Sequence, residues 1–376
     1  MTAVDRDLDA RWRRWADERP PPAVLHLDSA SAGRSSDAVL DATAAHARRA
    51  ARIGAYVAQA EAEPEIESGR AGLARLLGTD PDGVAFVESA SVAREALLGA
   101  WPWRPGDTVG VMRGEWGPNL EGFAARGLGV VALPEDGLGH LDVDGLARLL
   151  ATDPPAAVHL TQVASHRGLV QPVAAAASVC RAAGVALWVD AAQALGHVDT
   201  ATGADVVYAT SRKWLAGPRG VGVLAVAAAH RARLRVVRPA LLGEDLPAVR
   251  YLESGEAHVA GRVGLALAVA EHLAAGPEAV RARLAEAGAL AREVLGDLPG
   301  WAVAGEPDEP CAITSLRPLD GQDVAAVQAA LLAGNILTTA CLPARAPRED
   351  CGPLLRVSPH VDVTVADLTR LRAALG

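Results

Sequence analysis

Short apolar runs bounded by polar turns dominate the middle of the chain. Val84–Val87, Thr108–Val111, Gly129–Leu133, Ala157–Thr161, Val185–Val189, Val206–Ala209 and Gly222–Val226 each read as a buried strand. Between them the apolar positions take a helical spacing, as in Val92–Gly99 and Val173–Ala183. Strands that are apolar on both faces and alternate with helices predict a mostly parallel sheet covered on both sides. Such a sheet presents ligands at the C-terminal ends of its strands.

The flanks are patterned differently. Leu8–Glu18 predicts a short helix, broken by Pro20-Pro21-Pro22, and Val24–Leu27 a short strand before the polar loop Asp28–Arg34. A long helical pattern from Asp37 to Ala62 and a second from Glu65 to Leu77 follow, the latter stopped by Gly78. Toward the C-terminus, helices over Ala260–Ala275 and Glu278–Leu295 precede strands at Trp301–Val303, Ile313–Leu316 and Leu354–Val357. Helices at Val324–Ala333 and Val365–Leu375 complete that region, and Leu342–Asp350 reads as a loop. The expected organisation is α/β: an N-terminal helix in residues 1–22 packing with the small domain, a large domain over 23–255, and a linking helix with a smaller α+β domain over 256–376.

Composition narrows the function. Half of the 376 residues are hydrophobic and the net charge is -9, so no global field favours nucleic acid or an anionic membrane. No uninterrupted apolar run is long enough for a bilayer, and the N-terminal stretch lacks a secretory apolar core, so neither nucleic acid nor membrane is expected as a partner and the cytoplasm is the expected location. The four cysteines form no CxxC pair, which points away from a zinc site. Lys213 is the only lysine among 36 basic residues. A coding bias toward arginine accounts for the surface, but a guanidinium stays protonated and cannot act as an amine nucleophile. The lone lysine is therefore a candidate for covalent chemistry.

Three strand ends converge on it. The strand Val185–Val189 runs into Asp190-Ala-Ala-Gln193, which puts a carboxylate at the mouth of a buried strand, where a cation or donor must meet it. Alone, such an aspartate could equally be a helix cap. The next strand ends in Thr210-Ser-Arg-Lys213-Trp, followed by Gly217-Pro-Arg-Gly220, adding a hydroxyl and a cation suited to a phosphate. Val84–Val87 leads into Glu88-Ser-Ala-Ser91 and a helix, whose first N–H groups can face an anion, although serines there are also ordinary caps.

Asp190-Ala-Ala-Gln193 with Ser211-Arg-Lys-Trp214 and Gly217-Pro-Arg-Gly220 resembles the class V aminotransferase-like enzymes of fold-type I, which depend on pyridoxal 5′-phosphate. The resemblance extends from Leu25 to the C-terminus and implies a fold-type I PLP-dependent transferase fold: a large domain with a mostly parallel sheet and a smaller α+β C-terminal domain. By position it implies that Lys213 carries the cofactor as a Schiff base, Asp190 faces its ring nitrogen and Gln193 its phenolic oxygen. Ala90, Ser91, Thr210 and Arg212 would hold the phosphate, Trp116 would stack on the ring and Ser165 would lie near cofactor and substrate. Arg356 matches the arginine that binds the substrate α-carboxylate. Relatives often carry Glu-x-Gly-Thr for a contact to the neighbouring subunit's phosphate. Here the run is Glu253-Ser-Gly-Glu256-Ala-His258, so a homodimer is implied in which either Ala257 and His258 donate in the threonine's place or that contact is absent.

His26-Leu-Asp-Ser-Ala30, Gly54-Ala-Tyr-Val57, Glu115-Trp-Gly-Pro-Asn-Leu120 and Val163-Ala-Ser-His-Arg-Gly168 narrow the resemblance to the carbon–sulfur lyases of ergothioneine biosynthesis. That branch implies β-elimination from an amino-acid sulfoxide, hercynylcysteine sulfoxide, to a sulfenic acid, pyruvate and ammonia. Tyr56, Trp116 and Glu256 are candidates for its trimethylammonium group, and His26, His166 and His258 for other substrate contacts. A cysteine desulfurase is the alternative and would need Cys341 or Cys351 as a nucleophile. Neither cysteine matches that pattern, and both read as incidental thiols. An aminotransferase, or a catalytically silent scaffold of the same fold, are further alternatives. The scaffold is disfavoured by the intact Asp190, Gln193, Lys213 and Arg356.

Overall fold

The computed structural model describes residues 8–237 and 246–376. In chain order the elements begin with α1 (Ala10–Asp17), β1 (Leu25–His26), α2 (Asp37–Ile53), α3 (Ala55–Leu77), β2 (Val84–Val87), α4 (Ala90–Ala100) and β3 (Thr108–Val111). Then come α5 (Gly117–Ala125), β4 (Gly129–Ala132), α6 (Val143–Thr152), β5 (Ala157–Thr161), α7 (Val173–Ala183), β6 (Ala186–Asp190), β7 (Val206–Thr210), β8 (Gly222–Val226) and α8 (Ala228–Arg231). The C-terminal part holds α9 (Val259–Ala275), α10 (Pro277–Leu295), β9 (Trp301–Val303), β10 (Thr314–Pro318) and α11 (Val324–Ala333). It ends with β11 (Ile336–Leu337), β12 (Thr339–Cys341), β13 (Leu354–Val357) and α12 (Val365–Leu375).

Seven strands form one sheet in the order β2-β8-β7-β6-β5-β3-β4. Only β8 runs against its neighbours, pairing antiparallel with β2 and β7. The other pairings are parallel. Because β2, β3, β5, β6 and β7 share a direction, their C-terminal ends lie along one edge. There β2 leads into Glu88-Ser-Ala-Ser91, β3 leads toward Glu115-Trp116, β6 ends in Asp190 and β7 in Thr210. The central strands β6, β7 and β8 are buried along their whole length, which is why they read as continuous apolar runs rather than alternating ones.

A second sheet, β12-β13-β10-β9, forms the smaller layer with α10, α11 and α12. The β1 strand, assigned from sequence to the large domain, instead pairs in parallel with β11. Its neighbour Leu27 is buried with Leu316, Leu355 and Val357 of that smaller layer. Burial of Leu27 in that apolar cluster, with β1 hydrogen-bonded to β11, ties this segment to the smaller layer. α1 lies across both parts. Trp15 stacks on His360, and Arg19 approaches Glu271 of α9 at 3.7 Å, while Trp12 joins the main core. α9 packs along α2 and α3 on the large domain.

The helical stretch expected from Asp37 to Ala62 breaks earlier, at Gly54, and the second helix runs from Ala55 to Leu77 straight through Pro64. Gly54 has φ +96°, a conformation open to glycine, and it ends α2 and begins α3. Pro64 is exposed, so the carbonyl it leaves unpaired faces water and the helix tolerates it. The stretch expected to be a loop over Leu342–Asp350 contains a 3-10 turn at Pro343–Arg345. Among the described residues no single helix is long and apolar enough to cross a membrane.

Candidate active site

The strand ends enclose a cavity of about 320 Å³. Lys213, Asp190, Gln193, Thr210, Arg212, Ala90, Ser91, Trp116 and Ser165 all line it. Nine residues from five segments, named from sequence as cofactor contacts, therefore meet in one space. The structure adds Ala30, Ser31, Ser89, Gly114, Asn119, Thr161, Ala192 and Arg345.

Lys213 follows β7 on a tight turn closed by the Ala216 N–H donating to the Lys213 carbonyl at 3.0 Å. Ala216 sits at φ +52°, unusual for a residue with a side chain. The N-terminal loop holds this turn in place: the Gly33 N–H donates to the Arg212 carbonyl at 2.8 Å. A Cβ on Gly33 would stand 2.3 Å from the Lys213 carbonyl oxygen, so only glycine permits that approach. Burial pushes the Lys213 ammonium down to about 7. Asp190 opposes that shift, and Arg212, Arg356 and Arg345 add to it. An amine so placed is substantially unprotonated near neutral pH and nucleophilic.

Asp190 is held by two donors. Asn119 Nδ2 donates to its Oδ2 at 2.9 Å and the Ala192 N–H to its Oδ1 at 2.9 Å. Asn119 also donates to Glu115 Oε1 at 2.8 Å, and its own carbonyl accepts from Arg94 Nη1 at 2.9 Å. Glu115 is fully buried and shares a 2.9 Å hydrogen bond with His159 Nδ1, while Thr161 donates to it at 2.6 Å. Burial alone would raise the Glu115 carboxyl, but His159, Thr161 and Asn119 together hold it below its ordinary range. His159 Nε2 continues to Tyr208 at 2.7 Å, whose phenol is pushed well up by burial and by Asp190 and Glu115. This network under Asp190 was not found from sequence. Its one legible trace was Asn119 three residues after Trp116, at the start of α5.

Gln193 is fixed in orientation. Trp214 Nε1 donates to its Oε1 at 3.0 Å and its Nε2 donates to the Ala30 carbonyl at 2.9 Å, leaving a second amide hydrogen. At the opposite side, Ser89 caps α4 by accepting from the Val92 N–H at 3.2 Å. The first N–H groups of α4 thus stand beside Thr210 and Arg212, forming an anion cup. Gly222 closes it from behind, since a Cβ there would lie 2.9 Å from Ser89. Among the described residues Arg212 has no carboxylate within ion-pair distance, Asp28 acting on it only from farther off, so the cup offers a cation free to meet an anion.

The substrate contacts named from sequence fare differently. Arg356 is fully buried behind the cavity wall. It donates to the Ser165 carbonyl at 3.0 Å, to Asp28 at 3.0 Å and to Ser31 at 2.7 Å, and its Nε has no partner. His166 turns away from the cavity to Glu349, 2.6 Å from its Nε2. Ser165 lines the cavity while His166, the next residue on this turn, sits behind Gly114 of the cavity wall, its Cε1 3.6 Å from where a Cβ on Gly114 would be. Tyr56 is 80 % exposed at the start of α3, outside the cavity of its own chain. Glu256 and His258 are exposed as well, and His26 lies on β1 away from the cavity.

Neither Cys341 nor Cys351 lines the cavity. Cys341 is buried on β12, and burial, with Glu349 nearby, raises the Cys351 thiol rather than activating it. Arg345 occupies that side instead, its guanidinium 5.6 Å from the Trp116 ring centroid.

These parts fit pyridoxal phosphate: an amine near neutrality, a carboxylate held by donors, an amide with a free hydrogen, an indole wall and an anion cup. The Aminotransferase class-V family model matches residues 25–371. A probable hercynylcysteine sulfoxide lyase from Mycobacterium tuberculosis is 51 % identical over 364 residues, covering 96 % of this chain and 92 % of that protein. A cysteine desulfurase from Dickeya dadantii is 29 % identical over 299 residues, 73 % of this chain and 71 % of that protein. Among solved structures, the cysteine desulfurase CsdA of Escherichia coli superposes with a TM-score of 0.83 at 21 % identity, covering 96 % of this chain and 97 % of that one. The cystine C–S lyase C-DES, in complex with its product cysteine persulfide, gives 0.84 at 19 % identity over 94 % and 97 %.

Proposed function

The chain belongs to the class V aminotransferase family, and on that premise we propose that it is a pyridoxal-5′-phosphate-dependent carbon–sulfur lyase acting on hercynylcysteine sulfoxide. The observation that carries the reading is the cavity itself. It joins the sole lysine, near neutrality, to the residues named from sequence for the cofactor, and no cysteine lines it. A desulfurase needs a thiol nucleophile there, whereas elimination does not. The lyase relative is also far more similar than the desulfurases.

Lys213 would hold the cofactor, Asp190 would face its ring nitrogen, Gln193 its phenolic oxygen and Trp116 its ring. Ala90, Ser91, Thr210 and Arg212 would hold its phosphate. Bound pyridoxal phosphate supplies an electron sink that makes the substrate α-proton removable. The Lys213 amine, near neutrality, would take that proton from Cα. The Cα–H and Cβ–S bonds break, a Cα–Cβ double bond forms, and the sulfur leaves as a sulfenate. The three-carbon fragment hydrolyses to pyruvate and ammonia. Asn119 and the Ala192 N–H keep Asp190 oriented throughout.

Homodimer formation is part of the proposal. Leu40, Tyr56 and Val57 of α2 and α3 are exposed at 47 %, 80 % and 54 %, and Tyr56 can serve a cavity only in a partner copy. A cytoplasmic location is proposed on the four unpaired cysteines.

The test is incubation of wild type and Lys213→Ala with hercynylcysteine sulfoxide and dithiothreitol. Wild type should release pyruvate and ergothioneine, and the variant neither. Alanine and persulfide from free cysteine, with the sulfoxide untouched, would establish a desulfurase instead.

A further inference from the structure

Of the cations that line the cavity, Arg212, Lys213 and Arg345, the last is left unused by cofactor binding. Its 3-10 turn, Pro343–Arg345, is seated firmly: a Cβ on Gly117 of α5 would stand 2.3 Å from the Ala344 carbonyl oxygen, and Ala346 is buried. The guanidinium reaches the cavity over Trp116. Among the described residues it has no ion pair and no side-chain hydrogen bond. Other arginines have carboxylate partners, as with buried Arg70 and Arg262 on Glu253, buried Arg356 on Asp28, and half-buried Arg34 on Asp362 and Arg250 on Glu67. Burial lowers its proton affinity, and Arg345 in turn contributes to lowering that of Lys213. The two groups therefore share one weakly screened space. Asp28 acts on it only from beyond ion-pair distance, so this half-buried cation is incompletely compensated and suits an anion that arrives with the ligand or develops during the reaction.

Resting on the lyase reading, we propose that Arg345 is the residue that recognises the sulfoxide oxygen and stabilises the sulfenate as it leaves. When the Cβ–S bond breaks, its electron pair departs with sulfur and negative charge gathers on the S–O group. The proton from Cα resides on Lys213, and the sulfenate is protonated later to the sulfenic acid, so atoms and charge balance without another reactant. A donor aimed at charge that exists mainly in the transition state contributes to kcat more than to binding. It also gives a basis for preferring a sulfoxide to a thioether, whose leaving thiolate offers no oxygen to the guanidinium fork.

The experiment compares wild type, Arg345→Met and Arg345→Lys on hercynylcysteine sulfoxide and on β-chloro-L-alanine, which shares every step except loss of an S–O group. Arg345→Met should lose on the order of 10²- to 10³-fold in kcat on the sulfoxide. Arg345→Lys should recover part of that loss, and on β-chloro-L-alanine Arg345→Met should lose at least tenfold less than on the sulfoxide, the shared remainder reporting its effect on Lys213. As a readout apart from turnover, L-cysteate, which carries sulfonate oxygens on the same carbon, should bind Arg345→Met about tenfold more weakly, the loss of one charge-assisted contact. L-alanine binding, followed by cofactor absorbance, should not change. Equal losses on both substrates, or an equal weakening of alanine, would overturn the proposal and make Arg345 a carboxylate or cofactor contact. No loss on either substrate would overturn it too. Wild type that eliminates chloride but leaves the sulfoxide intact would sink the lyase reading, and this inference with it.

Discussion

Lys213 shows how much one side chain's surroundings decide. Its ammonium falls from 10.5 to about 7 because burial penalises the charged form more than Asp190 rewards it. Between those two values the unfolded chain binds a proton that the folded chain without cofactor does not. This group's contribution to stability therefore increases as pH rises across that window and is least favourable below pH about 7. The same shift sets reactivity. Since the chain has a single lysine, an amine-acylating reagent reports on Lys213 and the α-amino group only, and peptide mapping separates them. Acylation of Lys213 in the cofactor-free protein should be half-maximal near pH 7. A profile still climbing toward the ordinary lysine range would contradict the buried amine described here. Asp190 depends on its neighbours in a comparable way, but its support runs through Asn119 of α5 to Glu115 on the loop before it, His159 of β5 and Tyr208 of β7.

At the level of elements, the site rests on small residues that let backbones approach. α3 crosses α9 through Gly69 and Gly72, where a Cβ would stand 2.5 Å from Ala266 Cβ and 2.6 Å from Val269 Cγ1. α9 in turn carries Leu265 beside the turn after Lys213, 3.4 Å from where a Cβ on Gly217 would be. Gly69→Val should therefore cost about 1–3 kcal/mol through overpacking, read as a lower urea midpoint with an unchanged slope. An unchanged midpoint would show that the helices separate at no cost. Element limits were legible where punctuation was strong, as at Gly78 and Gly184, both left-handed caps. The break expected between Ala62 and Glu65 lies instead at Gly54, because exposed Pro64 stays helical while Gly54 turns the chain.

For the whole molecule, the cavity lies between the large sheet and the smaller layer, with the N-terminal loop closing it through Ala30, Ser31 and Gly33. Assembly is the remaining scale. Sedimentation should give about twice the 38.7 kDa chain mass, and Tyr56→Ala should raise KM for the sulfoxide several-fold while leaving the cofactor spectrum as in wild type. A fully active species at the mass of one chain would contradict both expectations, because Tyr56 cannot reach its own cavity.

The sequence by itself determined the alternation of apolar strands and helices, and with it the sheet edge where Asp190, Thr210, Lys213 and the start of α4 meet. These features are local: strand periodicity and the residue just past each strand end are written in consecutive positions. Tertiary structure alone decided which way neighbouring loop residues face, so that Ser165 enters the cavity while His166 pairs with Glu349, 183 positions away. It also decided that Leu25–Leu27 join the smaller layer, that a buried Glu115–His159 pair underlies Asp190, and that one of 35 arginines, Arg345, stands alone over Trp116. Each depends on partners distant in the chain, where composition and spacing carry no signal and only packing brings the groups together.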